Sequence, residues 1–189
     1  MSYDKEFWDN YAKENESRYN PEFAKFIRDL AVSLRCTSAL EIGCGTGVDL
    51  RLFPDTFRVY GVDLNDLALA VAKKKSPEHD FKKGSVTNLP FEDSSVDFIF
   101  THKFLNCISG EDLRKGVSEM YRVARKYVAN CEIYDKPESK TSEIFKGRNM
   151  LKEWSQYKVK IISDVNMHED IEPQEIRFTL IKKLDSNSI

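Results

Sequence analysis

The stretch Ala39-Leu-Glu-Ile-Gly-Cys-Gly-Thr-Gly47 places three glycines at alternate positions, directly after a short apolar run. Because glycine has no Cβ, such a loop lets the backbone approach a ligand closely. It also leaves free backbone N–H groups at the start of the next segment, where they can bind an anionic group. Glycine-rich turns can instead serve tight packing alone. The position of this loop, between a predicted strand and a predicted helix, favours a nucleotide-type ligand.

Asp63 is a second candidate ligand-binding residue. It follows the apolar run 59–62 and lies 20 residues beyond Gly43. A carboxylate at the end of the second strand of such a unit accepts hydrogen bonds from both hydroxyls of a ribose. The alternative is a solvent-facing aspartate that caps the next helix. Because the glycine loop lies at the expected distance, the two features together predict a ligand that contains ribose.

Two residues discriminate between nucleotides. The dinucleotide pattern has its third glycine or alanine at position 48, where this chain has Val48. Glu41 lies two residues before the first glycine, so its carboxylate would repel a pyrophosphate and attract a cation. S-adenosylmethionine carries an ammonium, a sulfonium and a ribose, and is therefore favoured. The alternative is that Glu41 pairs with a nearby lysine or arginine.

His102 is the candidate general base. It follows the strand predicted over 96–101, at the carboxyl end where α/β sheets bind ligands. A histidine at this place can take a proton from a nucleophile during attack, or it can cap a helix or have a structural role. Tyr134 and Asp135 follow the fifth predicted strand and are candidates for the edge of the substrate pocket.

Strand and helix patterns alternate along most of the chain. Strands are predicted over 39–42, 59–62, 81–86, 96–101, 127–133, 159–165 and 176–184, and helices over 21–34, around Leu50 and Phe53, and over 64–75, 109–124 and 141–155. Five strand–helix units followed by two consecutive strands predict an α/β fold. The expected architecture is a three-layer αβα sandwich, with a mostly parallel sheet and one antiparallel strand near the C-terminus.

Composition excludes several classes of protein. The 189 residues include 29 basic and 31 acidic side chains, so nothing in the charge points to nucleic acid or an anionic membrane. The longest apolar run, 67–72, is too short for a membrane span, and the N-terminus has no signal-peptide pattern. Four cysteines without C-x-x-C spacing predict reduced thiols in a cytoplasmic protein. No recognisable set of metal ligands is present in the sequence.

Three segments, ALEIGCGTGVDL, VYGVDLN and NLPFEDSSVDFIF, resemble in order and spacing the class I S-adenosylmethionine-dependent methyltransferases, especially the small-molecule branch. The resemblance covers 38–133 and implies a Rossmann-like seven-stranded sheet with one reversed strand. It also implies a single methyltransferase domain over 1–189: an N-terminal helical lid region (1–37), a cofactor-binding core (38–133), and C-terminal strands with substrate-side loops (134–189). Outside the core, the chain is faintly similar to methylases associated with pseudaminic acid biosynthesis.

The resemblance also implies the residues of the cofactor site. These would be Glu41, Gly43, Cys44, Gly45 and Gly47 at the methionine end, Asp63 at the ribose, Leu64 on the adenine face, Ser85 and Val86 at the adenine edge, and Thr101 and His102 near the methyl group. Many relatives carry a histidine where this chain has Cys107, so that histidine's role is not carried over. Tyr11 and Tyr19 would belong to a lid completed by residues 135–148.

Together these features predict transfer of a methyl group from S-adenosylmethionine to an oxygen or nitrogen of a small molecule, with S-adenosylhomocysteine as the product. A sugar or surface-polysaccharide precursor is the acceptor that the faint similarity implies. One alternative is a regulatory protein that binds the cofactor without turnover. Another is a nucleotide-linked oxidoreductase or epimerase, which Glu41 and Val48 disfavour. Spacing alone identifies neither the acceptor nor the oligomeric state.

Overall fold

The computed structural model describes residues 5–14, 19–134, 146–172 and 175–184. The described helices are α1 (Lys5–Glu14), α2 (Pro21–Ser33), α3 (Asp66–Lys75), α4 (Gly110–Val123) and α5 (Met150–Trp154). The described strands are β1 (Ser38–Ile42), β2 (Arg58–Asp63), β3 (Asp80–Lys83), β4 (Val96–His102), β5 (Ala124–Ile133), β6 (Val159–Asn166) and β7 (Ile176–Lys183). None of the described helices combines the length and the apolar character needed to cross a membrane.

The described strands form one seven-stranded sheet in the order β3-β2-β1-β4-β5-β7-β6. Strands β1 to β5 pair in parallel with their neighbours. Strand β7 runs antiparallel to both β5 and β6, so it alone is reversed among the described strands. This confirms the predicted sheet with one antiparallel strand near the C-terminus.

Helices pack on both faces of the sheet, as the three-layer prediction requires. On one face, Phe23 and Ile27 of α2 and Leu69 of α3 pack in one apolar cluster with Phe98 and Phe100 of β4. On the opposite face, α4 and α5 pack against residues of β1, β4 and β5 that alternate with the first set. Because successive side chains of a strand point to opposite faces, one strand supplies both clusters.

Side-chain caps determine where the principal helices begin. The Asn20 side chain accepts hydrogen bonds from the backbone N–H groups of Glu22 and Phe23, and Pro21 occupies the first helical position. Ser109 caps α4 in the same way by accepting from the Asp112 N–H. The first residues of α2 and α4 agree with the sequence prediction, because a capping residue and the helix it begins are adjacent in the sequence.

The prediction of a helix after the glycine loop was wrong. The chain forms only a 3₁₀ turn, Val48–Leu50, because Gly47 offers no side chain to cap a helix and Pro54 follows soon afterwards. The helix predicted over 141–155 is also shorter, since only Met150–Trp154 is helical and 141–145 lie outside the described residues.

The topology brings the candidate residues to one edge of the sheet. The glycine loop follows β1, Asp63 ends β2, and His102 ends β4. Strands β1 and β4 are neighbours, and the chain moves outward in opposite directions from this pair. Ligands of open α/β sheets bind at such a switch point, beyond the carboxyl ends of the strands.

Candidate cofactor and active site

The glycine loop turns sharply over the end of β1. Gly43 and Gly45 have φ values of 75° and 51°, in the left-handed region that favours glycine. A Cβ on Gly43 would lie 2.2 Å from Cδ2 of Phe104, so this ring packs directly on the loop. The N–H groups of Gly43 and Cys44 donate to the carbonyl of Val62 at 2.8 and 3.1 Å, which ties the loop to β2.

Asp63 faces the glycine loop from the end of β2. Its Oδ2 accepts from the Gly45 N–H at 2.8 Å, and its Oδ1 accepts from the Asn65 N–H at 2.8 Å. Burial raises the pKa of Asp63, although these backbone donors act in the opposite direction. A carboxylate can accept about four hydrogen bonds. Asp63 therefore retains acceptor capacity for the two hydroxyls of a ribose.

A cleft of about 1570 Å³ opens above these strand ends. The predicted site residues that line it are Tyr11, Tyr19, Glu41, Gly43, Cys44, Gly45, Asp63, Leu64, Ser85, Val86 and His102. Within the described parts of the chain, no group of three or more His, Cys, Asp or Glu side chains is placed to hold a metal ion. The cleft thus gathers most of the residues predicted to bind a cofactor.

Gly47 and Thr101, two further predicted cofactor residues, do not line the cleft. A Cβ on Gly47 would lie 2.9 Å from the ring of Phe81, so this glycine permits close packing beneath the loop. Thr101 is completely buried, and its hydroxyl accepts a hydrogen bond from Asn130 at 3.0 Å. The Thr101 side chain points to the face of the sheet that α4 covers. Adjacent residues of a strand point to opposite faces, so His102 points to the other face.

The predicted substrate residues after β5 are not part of the described cleft. Tyr134 does not line it, and the Arg177 guanidinium lies 5.3 Å from the centre of the Tyr134 ring. Asp135 lies outside the described residues, as does most of the predicted second lid segment, 135–145. Of the two segments predicted to form the lid, the structure therefore describes mainly the N-terminal one.

Helix α1 forms one wall of the cleft. Phe7, Trp8 and Tyr11 line it and pack on one another, with the Phe7 and Trp8 ring centroids 5.0 Å apart. Asn65 anchors the helix by donating from Nδ2 to Oδ1 of Asp9 at 2.9 Å. The helix is thus placed as a lid would be, and its closing role stays a prediction.

His102 is held between two carboxylates. Its Nδ1 lies 2.7 Å from Oδ2 of Asp49, and its Nε2 lies 3.1 Å from Oε2 of Glu172. Burial lowers the pKa of His102, but the two carboxylates outweigh that effect and the pKa is raised. We call Asp49, His102 and Glu172 the His102 clasp. An imidazolium has no lone pair to accept a proton, so this geometry works against the predicted base role, which stays a prediction.

Sequence reasoning missed both carboxylates of the clasp. Asp49 lies in the 3₁₀ turn after the glycine loop, and only its position two residues beyond Gly47 could have drawn attention to it. Glu172 lies in the connection between β6 and β7, 70 residues from His102. Its Oε2 also accepts from Lys103 at 3.3 Å and from Asn20 at 3.4 Å. Only the order of the last two strands brings it to the cleft.

Glu41 is a buried carboxyl with an unsatisfied oxygen. It is 3% exposed, and no hydrogen-bond donor among the described residues reaches its Oε2. Burial raises the pKa of Glu41 well above its ordinary value, and the neighbouring carboxyls of Asp49 and Asp63 raise it further. The alternative that Glu41 pairs with a lysine or arginine finds no support in the described part of the chain.

Glu132, at the end of β5, is another carboxyl that sequence reasoning missed. Its Oε1 meets no donor among the described residues, and its Oε2 accepts from the Asn106 N–H at 3.3 Å. It thereby holds the 3₁₀ turn Leu105–Cys107, whose neighbours Phe104 and Ile108 line the cleft. Burial raises the pKa of Glu132 from 4.5 to about 7.

We expect Glu132→Gln to remove a pH dependence of stability. Because the folded-state pKa is raised, the folded chain binds the proton more tightly than the unfolded chain, and stability falls as pH rises from about 5 through about 7. Between about pH 5 and 8 the parent chain should lose about 2 kcal/mol of its free energy of unfolding, and Glu132→Gln should not, because its side chain cannot ionise. Urea unfolding at pH 5, 6, 7 and 8 measures the difference. Exposed Glu111→Gln is the control, and equal pH dependence in Glu132→Gln and the parent would refute the assignment.

Comparisons with known proteins agree with this geometry. Residues 40–127 match the model of the methyltransferase domain family. Over 94 residues, the chain is 33% identical to a protein of Mycolicibacterium smegmatis named as a probable S-adenosylmethionine-dependent methyltransferase, a match that covers 48% of this chain and 36% of that protein. The matches cover 36% of the length of each of the first two curated relatives, so this chain spans about a third of those proteins.

Solved structures share the fold. A chain of the complex between the Haloferax volcanii Trm112 methyltransferase activator and a methyltransferase superposes with a TM-score of 0.74 at 14% identity, covering 97% of both chains. Magnesium protoporphyrin IX methyltransferase from Synechocystis PCC 6803, solved with bound SAH, gives a TM-score of 0.68 at 12% identity, covering 85% of this chain and 82% of that one. The chain therefore shares the fold of these structures, and residues 40–127 match the methyltransferase domain family. The family match and the name of the Mycolicibacterium smegmatis relative support S-adenosylmethionine, the cofactor predicted from the sequence.

The cleft of this chain fits S-adenosylmethionine. Oε2 of Glu41 is a buried oxygen without a donor, and an ammonium group would supply one. Asp63 has spare acceptor capacity for ribose hydroxyls. Leu64 exposes 63% of its surface beside Asp63 and lines the cleft, where an adenine ring would cover it. The ammonium, the ribose and the adenine of the cofactor would therefore each have a side chain of matching chemistry in the cleft.

Proposed function

We propose that this chain transfers a methyl group from S-adenosylmethionine to a small-molecule acceptor at nitrogen or oxygen. The observation that carries the proposal is the convergence of Glu41, the glycine loop and Asp63 on one cleft at the switch point of the sheet. The free cysteines of the described chain are consistent with the cytoplasm as the proposed location. We also propose that the chain is one domain and that α1, within the predicted lid region 1–37, acts as its lid, because α2 of the same region packs in the core.

Three side chains would hold the cofactor in this proposal. Glu41 would accept a hydrogen bond from the ammonium, Asp63 would accept from the ribose hydroxyls, and Leu64 would cover the adenine. Ser85 and Val86, on the adjoining cleft wall, would border the adenine edge. When bound, the cofactor supplies an activated methyl group on a sulfonium. The protein's part is to orient the acceptor against it and to exclude water.

The acceptor side of the cleft supports a small and partly apolar substrate. Trp8 and Tyr11 of α1 line it, together with Phe104 and Ile108 of the segment after β4. Because both nitrogens of His102 are engaged, the acceptor we favour is one that needs no protein base, such as an amine nitrogen or an ionised oxygen. A sugar hydroxyl, which the faint sequence similarity implies, must lose a proton and is supported less well.

Calorimetric titration with S-adenosylmethionine, S-adenosylhomocysteine and NAD tests the proposal. We expect micromolar binding of the first two and none of NAD, because the carboxyl side chains of Glu41, Asp49 and Asp63 beside the glycine loop offer a pyrophosphate no cationic partner. A panel of amines, phenols and alcohols then identifies the acceptor by release of S-adenosylhomocysteine. Cofactor binding without turnover on any acceptor would favour the regulatory alternative. Tighter binding of NAD, or no binding of the sulfonium compound, would overturn the proposal.

A further inference from the structure

Asp49 connects the Glu41 carboxyl to the His102 clasp. It is 5% exposed, and the short turn Val48–Leu50 holds it directly after the glycine loop. Its Oδ2 lies 2.7 Å from Nδ1 of His102, and its carboxyl is also hydrogen-bonded to Glu41. The buried side chain of Asp49 thus contacts both His102 and Glu41.

Two carboxyl groups in hydrogen-bonding contact require a proton between them, because two buried carboxylates repel each other strongly. Nδ1 of His102 lies 2.7 Å from Asp49, whereas no cation among the described residues contacts Glu41, so the shared proton belongs to Glu41. Glu41 then carries the proton and donates it to Asp49.

The other groups that face Glu41 leave its charge uncompensated. Asp63 adds negative charge from the end of β2. Cys44 of the glycine loop and Cys131 of β5 are neutral thiols, since burial raises the pKa of each. His102, which Asp49 links to Glu41, is already shared by two carboxylates. Within the described residues, an ionised Glu41 would therefore lack a cationic partner.

We propose that Asp49 is a positioning residue for the cofactor's cationic end: it orients Glu41 and makes that carboxyl exchange one proton for the bound cation. The inference rests on the proposed function, because it takes S-adenosylmethionine as the ligand. When the ammonium group arrives, the O–H bond of Glu41 breaks and the proton leaves to solvent. The ammonium N–H then donates to the carboxylate, so one positive charge replaces another.

Calorimetry in buffers of different ionisation enthalpy counts this proton. Across a pH series, we expect release of up to about one proton per S-adenosylmethionine bound, and affinity that rises up to about tenfold per pH unit while Glu41 is protonated. S-adenosylhomocysteine keeps the ammonium and should release the same proton. 5′-Methylthioadenosine lacks the amino-acid portion and should release none.

Asp49→Asn separates the positioning role from a structural one. The amide can donate to Glu41 and accept from His102, so we expect proton release to fall towards zero and the pH dependence of affinity to flatten. The NMR-detected pKa of His102 should fall in the same variant, and Asp49→Glu should restore proton release. Binding heats that are independent of buffer in the parent chain would overturn this inference while leaving the proposed function intact. Failure of the parent chain to bind the cofactor in any buffer would overturn the proposed function itself.

Discussion

Asp63→Ala is expected to weaken binding of S-adenosylmethionine by about 100-fold, which corresponds to about 2.7 kcal/mol. The proposed ribose contacts are two hydrogen bonds to a charged acceptor, each of which contributes about 1.5 kcal/mol or more. The same carboxylate also holds the Gly45 N–H at 2.8 Å, so the glycine loop loses a support on the cofactor side. Calorimetric titration of parent and variant at one pH measures the change.

A matched aspartate on the next strand provides the control for Asp63→Ala. Asp80 begins β3, is exposed, and pairs with Lys82 at 3.3 Å away from the cleft. Its replacement by alanine should leave the affinity within about twofold of the parent value, because exposed ion pairs contribute little. If Asp63→Ala keeps its melting temperature and binds as tightly as Asp80→Ala, the ribose assignment is incorrect.

The glycine loop and Asp63 could be predicted because their signals are local. Each follows a run of apolar residues that predicts a buried strand, and the distance between them is set by the connection from β1 to β2. Strand β1, predicted over 39–42, is found at Ser38–Ile42, and β2, predicted over 59–62, at Arg58–Asp63. Parallel pairing of these two strands then places loop and carboxylate side by side.

The His102 clasp could not be predicted in the same way. Glu172 reaches His102 only because β7 inserts between β5 and β6, and no local pattern specifies that order. Thr101 illustrates a second limit. Alternation shows that Thr101 and His102 face opposite sides of the sheet, but not which side borders the cleft. The predicted helix around Leu50 failed because its apolar spacing is satisfied by a single turn.

Gly43→Ala is expected to be the most damaging single-methyl change in the loop. The residue adopts φ 75°, which costs about 1–2 kcal/mol for an alanine. Its Cβ would also lie 2.2 Å from Cδ2 and 2.8 Å from Cβ of Phe104, so the ring must move. Together these effects should lower the free energy of unfolding by about 3 kcal/mol and abolish cofactor binding at micromolar concentrations. Thermal and urea unfolding, followed by calorimetric titration, measure both.

Gly110→Ala and a double variant separate the two causes. Gly110 begins α4 with no atom within 4 Å of an added Cβ, so alanine there should be neutral or stabilising by about 0.5 kcal/mol. In a double-mutant cycle, Phe104→Ala should cost less stability in the Gly43→Ala background than in the parent, because removing the ring relieves the overlap but not the backbone strain. Strict additivity of the two substitutions would show that the ring does not restrict the loop. If Gly43→Ala then lowers stability by no more than the backbone strain at φ 75°, Phe104 does not help to shape the cofactor site.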